Sequence, residues 1–142
     1  MKISARNAFP GKVVSVRTGA LNAEVDFSTA GGDHLVAIVS NESVQNLGLA
    51  AGVAATALVK ASSVMILTDG SGFKLSARNC LAGTVATVTP GPVSADVAVR
   101  LKGGDVVHAT ITSDAVKELG IAAGGAVAAV FKASSVILAV AV

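Results

Sequence analysis

Two short polar blocks carry the chemistry this chain could perform, and each is written twice. Ser4-Ala5-Arg6-Asn7 recurs as Ser76-Ala77-Arg78-Asn79, and Lys60-Ala61-Ser62-Ser63-Val64 recurs as Lys132-Ala133-Ser134-Ser135-Val136, both at an offset of 72 residues. Together they supply hydroxyls, a guanidinium fork, an ammonium and the backbone N–H groups around small alanine and serine residues. Neither block contains a carboxylate or a histidine. Core packing demands neither block, so their joint repetition in register points to a shared task. Donors clustered without a basic acceptor suit an anion that has lost all its protons.

That donor set discriminates among oxyanions. Phosphate near neutral pH keeps a proton and wants an acceptor for it, whereas molybdate, tungstate and sulfate keep none. An unmatched buried polar group costs about 1–3 kcal/mol, enough for roughly 10–100-fold discrimination. Sulfate and the larger molybdate would then be separated by cavity size.

The blocks sit inside a complete duplication. Residues 4–67 align with 76–139 without a gap, and 27 of the 64 positions are identical. Gly31-Gly32-Asp33 matches Gly103-Gly104-Asp105, and Leu47-Gly48 matches Leu119-Gly120. Two copies are too few for a solenoid and read as tandem domains.

Each half must hold its blocks mainly on strands. Lys12–Arg17 and Ala23–Ser28 alternate polar with apolar, the period of a half-buried strand, with Thr18-Gly19 as the turn between them. His34–Val39, Val53–Val59 and Ser63–Leu67 supply three more strands. A single helical signal interrupts them: Ser40 as N-cap, apolar steps at Val44 and Leu47, and Gly48 as terminator. The expected fold class is all-β with one short helix per domain, as two tandem OB-like Greek-key β-barrels. The domains are expected at 2–68 and 73–140, with the polar, glycine-rich 68–72 as a short linker. Barrels this small have marginal cores, so tandem copies and self-association would both help.

Composition narrows the alternatives. The chain has 142 residues, 14% charged and 52% hydrophobic, with a net charge of +2. Low charge with high apolar content opposes disorder and suggests extensive buried surface. No uncharged stretch reaches the ~20 residues of a membrane span. The opening Met1-Lys2-Ile3-Ser4-Ala5-Arg6 has no apolar signal core, so a cytoplasmic location is expected. Cys80 stands alone and excludes an internal disulfide; it is expected to be a small buried apolar residue.

Rival functions find little support. A nucleic-acid-binding or adaptor module on an OB barrel would want an aromatic platform and a basic groove. There is no Trp or Tyr, there are four Phe, and +2 is weak. No helix-turn-helix segment and no G-x-x-x-x-G-K-[ST] loop is expected in this chain. A serine–lysine hydrolase dyad of Lys60 with Ser62 or Ser63 would lack an oriented base and an oxyanion hole. His34 and His108 fall at non-equivalent repeat positions, which argues for strand residues facing solvent. The expectation is a non-enzyme.

The chain resembles the Mop (molybdenum-pterin-binding protein) family of molybdate-binding domains, in its tandem di-Mop form. The resemblance covers residues 2–140. It rests on the two polar blocks together with Gly19-Ala20-Leu21-Asn22-Ala23-Glu24-Val25, Gly31-Gly32-Asp33 and Leu47-Gly48-Leu49.

The resemblance implies two OB-like barrels per chain, a homotrimer, and molybdate or tungstate held between domains or subunits. It implies no cofactor, no catalysis, and storage or homeostasis of the oxyanion. One wall of a molybdate site would be Ser4, Arg6, Lys60, Ala61 and Ser62, faced by Ser40 and Ser43 of a neighbouring domain. The matching wall would be Ser76, Arg78, Lys132, Ala133 and Ser134, with Thr112 opposite. Ser43 maps to Ala115, so one hydroxyl is missing there. A second kind of site near a symmetry axis would involve Asn22, whose copy is Ser94.

Overall fold

The computed structural model describes residues 1–142. In the first half, β1 (Asn7–Thr18), β2 (Asn22–Thr29) and β3 (His34–Ser40) form a meander. Helix α1 (Asn41–Leu47), β4 (Ala54–Val59), a single 3-10 turn at Ala61–Ser63 and β5 (Met65–Leu67) follow. The second half repeats this order as β6 (Asn79–Thr89), β7 (Ser94–Leu101), β8 (Val106–Thr112) and helix α2 (Ser113–Leu119), then β9 (Ala126–Phe131), a 3-10 turn at Ala133–Ser135 and β10 (Ile137–Ala139). The all-β, two-barrel reading holds.

Both helices start and stop as their sequences dictate. The Ser40 hydroxyl accepts the N–H of Ser43 at 3.0 Å, and Thr112 accepts that of Ala115 at 3.1 Å. Gly48 and Gly120 end them at φ 63° and 62°, the left-handed conformation that glycine adopts without a Cβ penalty.

β1 has to serve two neighbours. Its first part, from Asn7 to Lys12, pairs with β4, and its later part, from Gly11 to Thr18, pairs with β2. The changeover falls at Gly11, where a Cβ would lie 2.1 Å from the carbonyl oxygen of Ser28. A bulge between Val13 and Ser15 then sharpens the bend, as such bulges do in small barrels. β6 repeats the device with Gly83 and a bulge between Val85 and Thr87.

One expectation needs correction. The duplication leads to the expectation that each half completes its own barrel, but the sheets run β10-β4-β1-β2-β3 and β5-β9-β6-β7-β8. The last strand of each half therefore belongs to the other half's sheet. Ile137, Leu138 and Ala139 pair with Leu58, Ala57 and Thr56, while Met65, Ile66 and Leu67 pair with Val130, Ala129 and Ala128. The cause lies in the 3-10 turns, which pack against β8 and β3 of the opposite half and lead the chain across. Exchange covers the free edges of β4 and β9, which would otherwise present unpaired backbone groups. One apolar cluster of 23 buried residues consequently runs through both halves, with Leu138 contributed from the far end of the chain.

Two further fasteners join the halves. Asn7 donates from Nδ2 to the carbonyl of His108 and accepts that residue's N–H; Asn79 does the same to Val36. The Gly-Gly-Asp turns interlock: Asp33 accepts the N–H groups of Gly103 and Asp105, and Thr29 donates its hydroxyl to Asp105. Burial and the neighbouring Asp33 carboxylate push the Asp105 carboxyl above its ordinary value, against the Thr29 hydrogen bond.

Cys80 is the second correction: it is exposed. Asn79 points inward to its backbone partners, and strand alternation then turns the next side chain outward.

Candidate anion-binding grooves

The register of β1 against β4 brings the two polar blocks together. Asn7 pairs with Val59, so the residues just before Asn7 and just after Val59 are neighbours at the end of the ladder. Ser4, Arg6, Lys60, Ala61 and Ser62 accordingly line one groove of about 610 Å³. Asn79 pairs with Phe131 in the same way, and Ser76, Arg78, Lys132, Ala133 and Ser134 line a second groove of about 530 Å³. The residues of each expected wall thus lie along one groove, drawn from positions about 55 apart in the chain.

Strand exchange makes each groove a joint product of the halves. The first is completed by Thr110 of β8 and Ile137 of β10, the second by Ile38 of β3 and Met65 of β5. Thr110 and Ile38 are repeat equivalents, so the first groove has a hydroxyl where the second has an alkyl group. Ala61 and Ala133 are buried, Lys60, Ser62, Lys132 and Ser134 beside them are exposed, and Ser63 and Ser135 are half-buried. Small buried residues at these turns leave room for a ligand to approach the backbone.

Ser40, Ser43 and Thr112 line neither groove. The Ser40 hydroxyl is engaged by the Ser43 N–H and itself donates to the Ser43 hydroxyl at 2.9 Å. Asn22 lies in a separate cleft with Arg17, Gly19 and Glu24.

The blocks contain no carboxylate, yet the fold sets one beside each arginine. Arg78 donates to Glu24 at 2.8 Å, and Arg17 donates to the same oxygen at 2.8 Å. The hydrogen bond from Arg78, with Arg17 adding to it, holds the Glu24 carboxyl below its ordinary range despite some opposing desolvation. Arg6 stands 3.7 Å from Asp96, whose other oxygen lies 3.1 Å from Nδ1 of His108. Glu24 and Asp96 are repeat equivalents, and a carboxylate kept at one position of a variable strand was the signal that could have found them. Lys60 and Lys132 are exposed and take part in no salt bridge, so their ammonium donors face the grooves uncommitted.

His34 is 3.6 Å from Asp26 on an exposed strand face, away from both grooves. What the grooves can do chemically is bind: each offers one free cation, one paired cation, hydroxyls and open backbone N–H groups to a small anion.

Comparison with known proteins places these features in a family. The TOBE domain model matches twice, at residues 3–66 and 75–138. The molybdenum transport protein ModE of Azotobacter vinelandii is 45% identical over 140 residues, 99% of this chain and 52% of that protein. The molybdenum-pterin-binding protein MopA of Rhodobacter capsulatus is 41% identical over 139 residues, 98% of this chain and 52% of that protein. The chain thus spans about half the length of these curated relatives. A crystal structure described as the cytoplasmic molybdate-binding protein ModG, with molybdate bound, superposes with a TM-score of 0.95 at 51% identity. That match covers 99% of this chain and 100% of the other.

Proposed function

Because this chain belongs to the TOBE-domain family, with the domain in two tandem copies, we propose that it captures molybdate, without catalysis, at the two grooves where its halves meet. One observation carries the reading: the repeated blocks converge, twice, on a groove whose lysine has no other partner. The likeness to a molybdate-bound structure at 51% identity over both full chains supports it.

The mechanism is recognition by donors. Lys60 or Lys132 supplies a charge-assisted hydrogen bond, and the serine hydroxyls and the N–H groups of the 3-10 turns satisfy the remaining oxygens. A dianion with no proton leaves no donor of its own unmatched in such a pocket, whereas hydrogen phosphate does. Tungstate, with the same charge and shape, is the natural competitor.

We further propose that the grooves close by assembly of chains into a homotrimer. The exposed apolar residues at repeat-equivalent positions support this, since Ile3 and Leu75, Met65 and Ile137, and Leu21 and Val93 are all at least 49% exposed. The residues Ser40, Ser43 and Thr112 then face a groove of a neighbouring chain, and Asn22 faces a second kind of site between chains. The role is storage and homeostasis of the oxyanion in the cytoplasm, a location supported by the likeness to ModG.

Calorimetric titration of the chain with molybdate, with sulfate and phosphate as controls, tests the reading. Binding selective for molybdate is expected. Equal heats from sulfate or phosphate, or none from molybdate, would overturn it.

A further inference from the structure

The two grooves share a plan but differ in the circuit behind their arginines. Glu24 stands across the β2–β3 ladder from Ile38, and Asp96 across the β7–β8 ladder from Thr110, each beside a groove. Glu24 is held by two arginines at 2.8 Å. Asp96 has no second arginine, because the repeat equivalent of Arg17 is Thr89. Its second partner is His108, whose equivalent in the first half is Val36.

The contact with Arg6 is also looser. At 3.7 Å it exceeds hydrogen-bond distance, and Asp96 Oδ1 is buried with no hydrogen-bond partner. Behind Lys132, then, the carboxylate is saturated by two permanent cations. Behind Lys60 it is shared between a loosely held arginine and an imidazole, the side chain whose charge ordinarily changes between about pH 5 and 8.

We propose that His108, acting through Asp96 and Arg6, makes anion capture in the Lys60 groove proton-linked, while capture in the Lys132 groove is indifferent to pH over the same range. The inference rests on the reading of the grooves as oxyanion sites. When the ring of His108 is protonated, its Nδ1–H donates to Asp96 and offsets the carboxylate charge, leaving Arg6 for the anion. When the ring is neutral, Arg6 is the cation that Asp96 has to draw on. By linkage, proton and oxyanion each bind more tightly when the other is present.

The charged groups around the ring are few. Asp96 and Arg100 share its face of the β7–β8 ladder, Arg6 approaches from before β1, and Lys60 precedes the 3-10 turn that packs on β8. The charged residues of α2, namely Asp114, Lys117 and Glu118, lie beyond Thr112 at the end of the strand. The strand β5, which also approaches β8, carries no charge. Asp96 is the group in direct contact, so the linkage runs through it.

His34 is the internal control. It neighbours Asp26, which also accepts the Ser15 hydroxyl, and no groove arginine stands there. Titration of the full chain with micromolar sodium molybdate tests the idea, using Lys132→Ala to isolate the first groove and Lys60→Ala to isolate the second. Measurements at about pH 6 and about pH 8, each in buffers of different ionisation heat, read affinity and proton uptake together. The Lys132→Ala chain is expected to bind roughly fivefold more tightly at the lower pH, with proton uptake, and His108→Gln in that background to remove both effects. The Lys60→Ala chain is expected to show neither. Imidazole NMR of the parent is expected to show molybdate moving the His108 titration upward while His34 stays in place. Equal proton uptake by both grooves, or linkage that survives His108→Gln, would overturn the proposal and leave the oxyanion reading standing. Absence of molybdate binding in the parent chain at either pH would overturn both.

Discussion

Asn79 treats the backbone of Val36 as a strand would, donating from Nδ2 to its carbonyl and accepting its N–H at Oδ1, both at 2.8 Å. The asparagine is 1% exposed, so water cannot replace it. Asn79→Ala strands a buried N–H and a buried carbonyl, at about 1–3 kcal/mol each. Denaturant unfolding should show a loss of about 2–5 kcal/mol, and Asn79→Asp should also destabilise, because a carboxylate cannot donate to the Val36 carbonyl.

Lys60→Ala and Lys132→Ala should each silence one groove class. A hydrogen bond to a charged group contributes about 1.5–3 kcal/mol, so affinity at the altered groove should fall roughly 10–100-fold. Calorimetry of either variant should then show half the parent's tight groove sites, and the double variant none.

Two carboxyls with shifts of opposite sign, Glu24 and Asp105, predict opposite pH behaviour. Glu24 sits below its ordinary 4.5, so it stabilises the fold at neutral pH, and that contribution is lost as pH falls through its depressed value. Asp105 sits above its ordinary 3.8, so its contribution is present in acid and lost as pH rises through its raised value. Melting curves across this range should show Glu24→Gln falling furthest behind the parent near neutrality. Asp105→Asn, which still accepts from Thr29, should instead gain on the parent as pH rises.

Molybdate should raise the melting temperature of the assembled protein by mass action. At a free concentration 100 times the dissociation constant, one site stabilises by about 2.7 kcal/mol. A Lys60→Ala, Lys132→Ala double variant should keep only a small part of that rise at the same molybdate concentration.

The exchanged strands predict how a half chain behaves. A fragment of residues 1–70 has β5 to give and an uncovered β4 edge to fill. Size-exclusion chromatography with light scattering should find it as a dimer that trades Met65–Leu67 reciprocally, and Ile66→Pro should shift it toward an unfolded monomer.

Much of this was legible in the sequence, for identifiable reasons. The offset of 72 residues placed every element twice, and Ser40, Gly48, Thr112 and Gly120 announced both helices by their capping chemistry. Strand alternation placed Val25 and Phe27 inside, and both are fully buried. The wall residues were legible as a set because two polar blocks adjoin paired strand ends. Strand exchange was not, since Met65-Ile66-Leu67 and Ile137-Leu138-Ala139 are similar apolar triplets that fit either barrel. The pairings of Arg78 with Glu24 and of Arg6 with Asp96 span 54 and 90 positions, and no local pattern encodes them. Asn7 and Asn79 stand inside donor blocks in the sequence, yet their side chains act as surrogate backbone.

The reciprocal loan of β5 and β10 also bears on how the protein is made and lost. During synthesis the first barrel stays open until Ile137–Ala139 has emerged, so the Lys60 groove is completed only once β10 is made. A single protease cut in the connecting segment would not release a working half, because each piece remains threaded through its sibling.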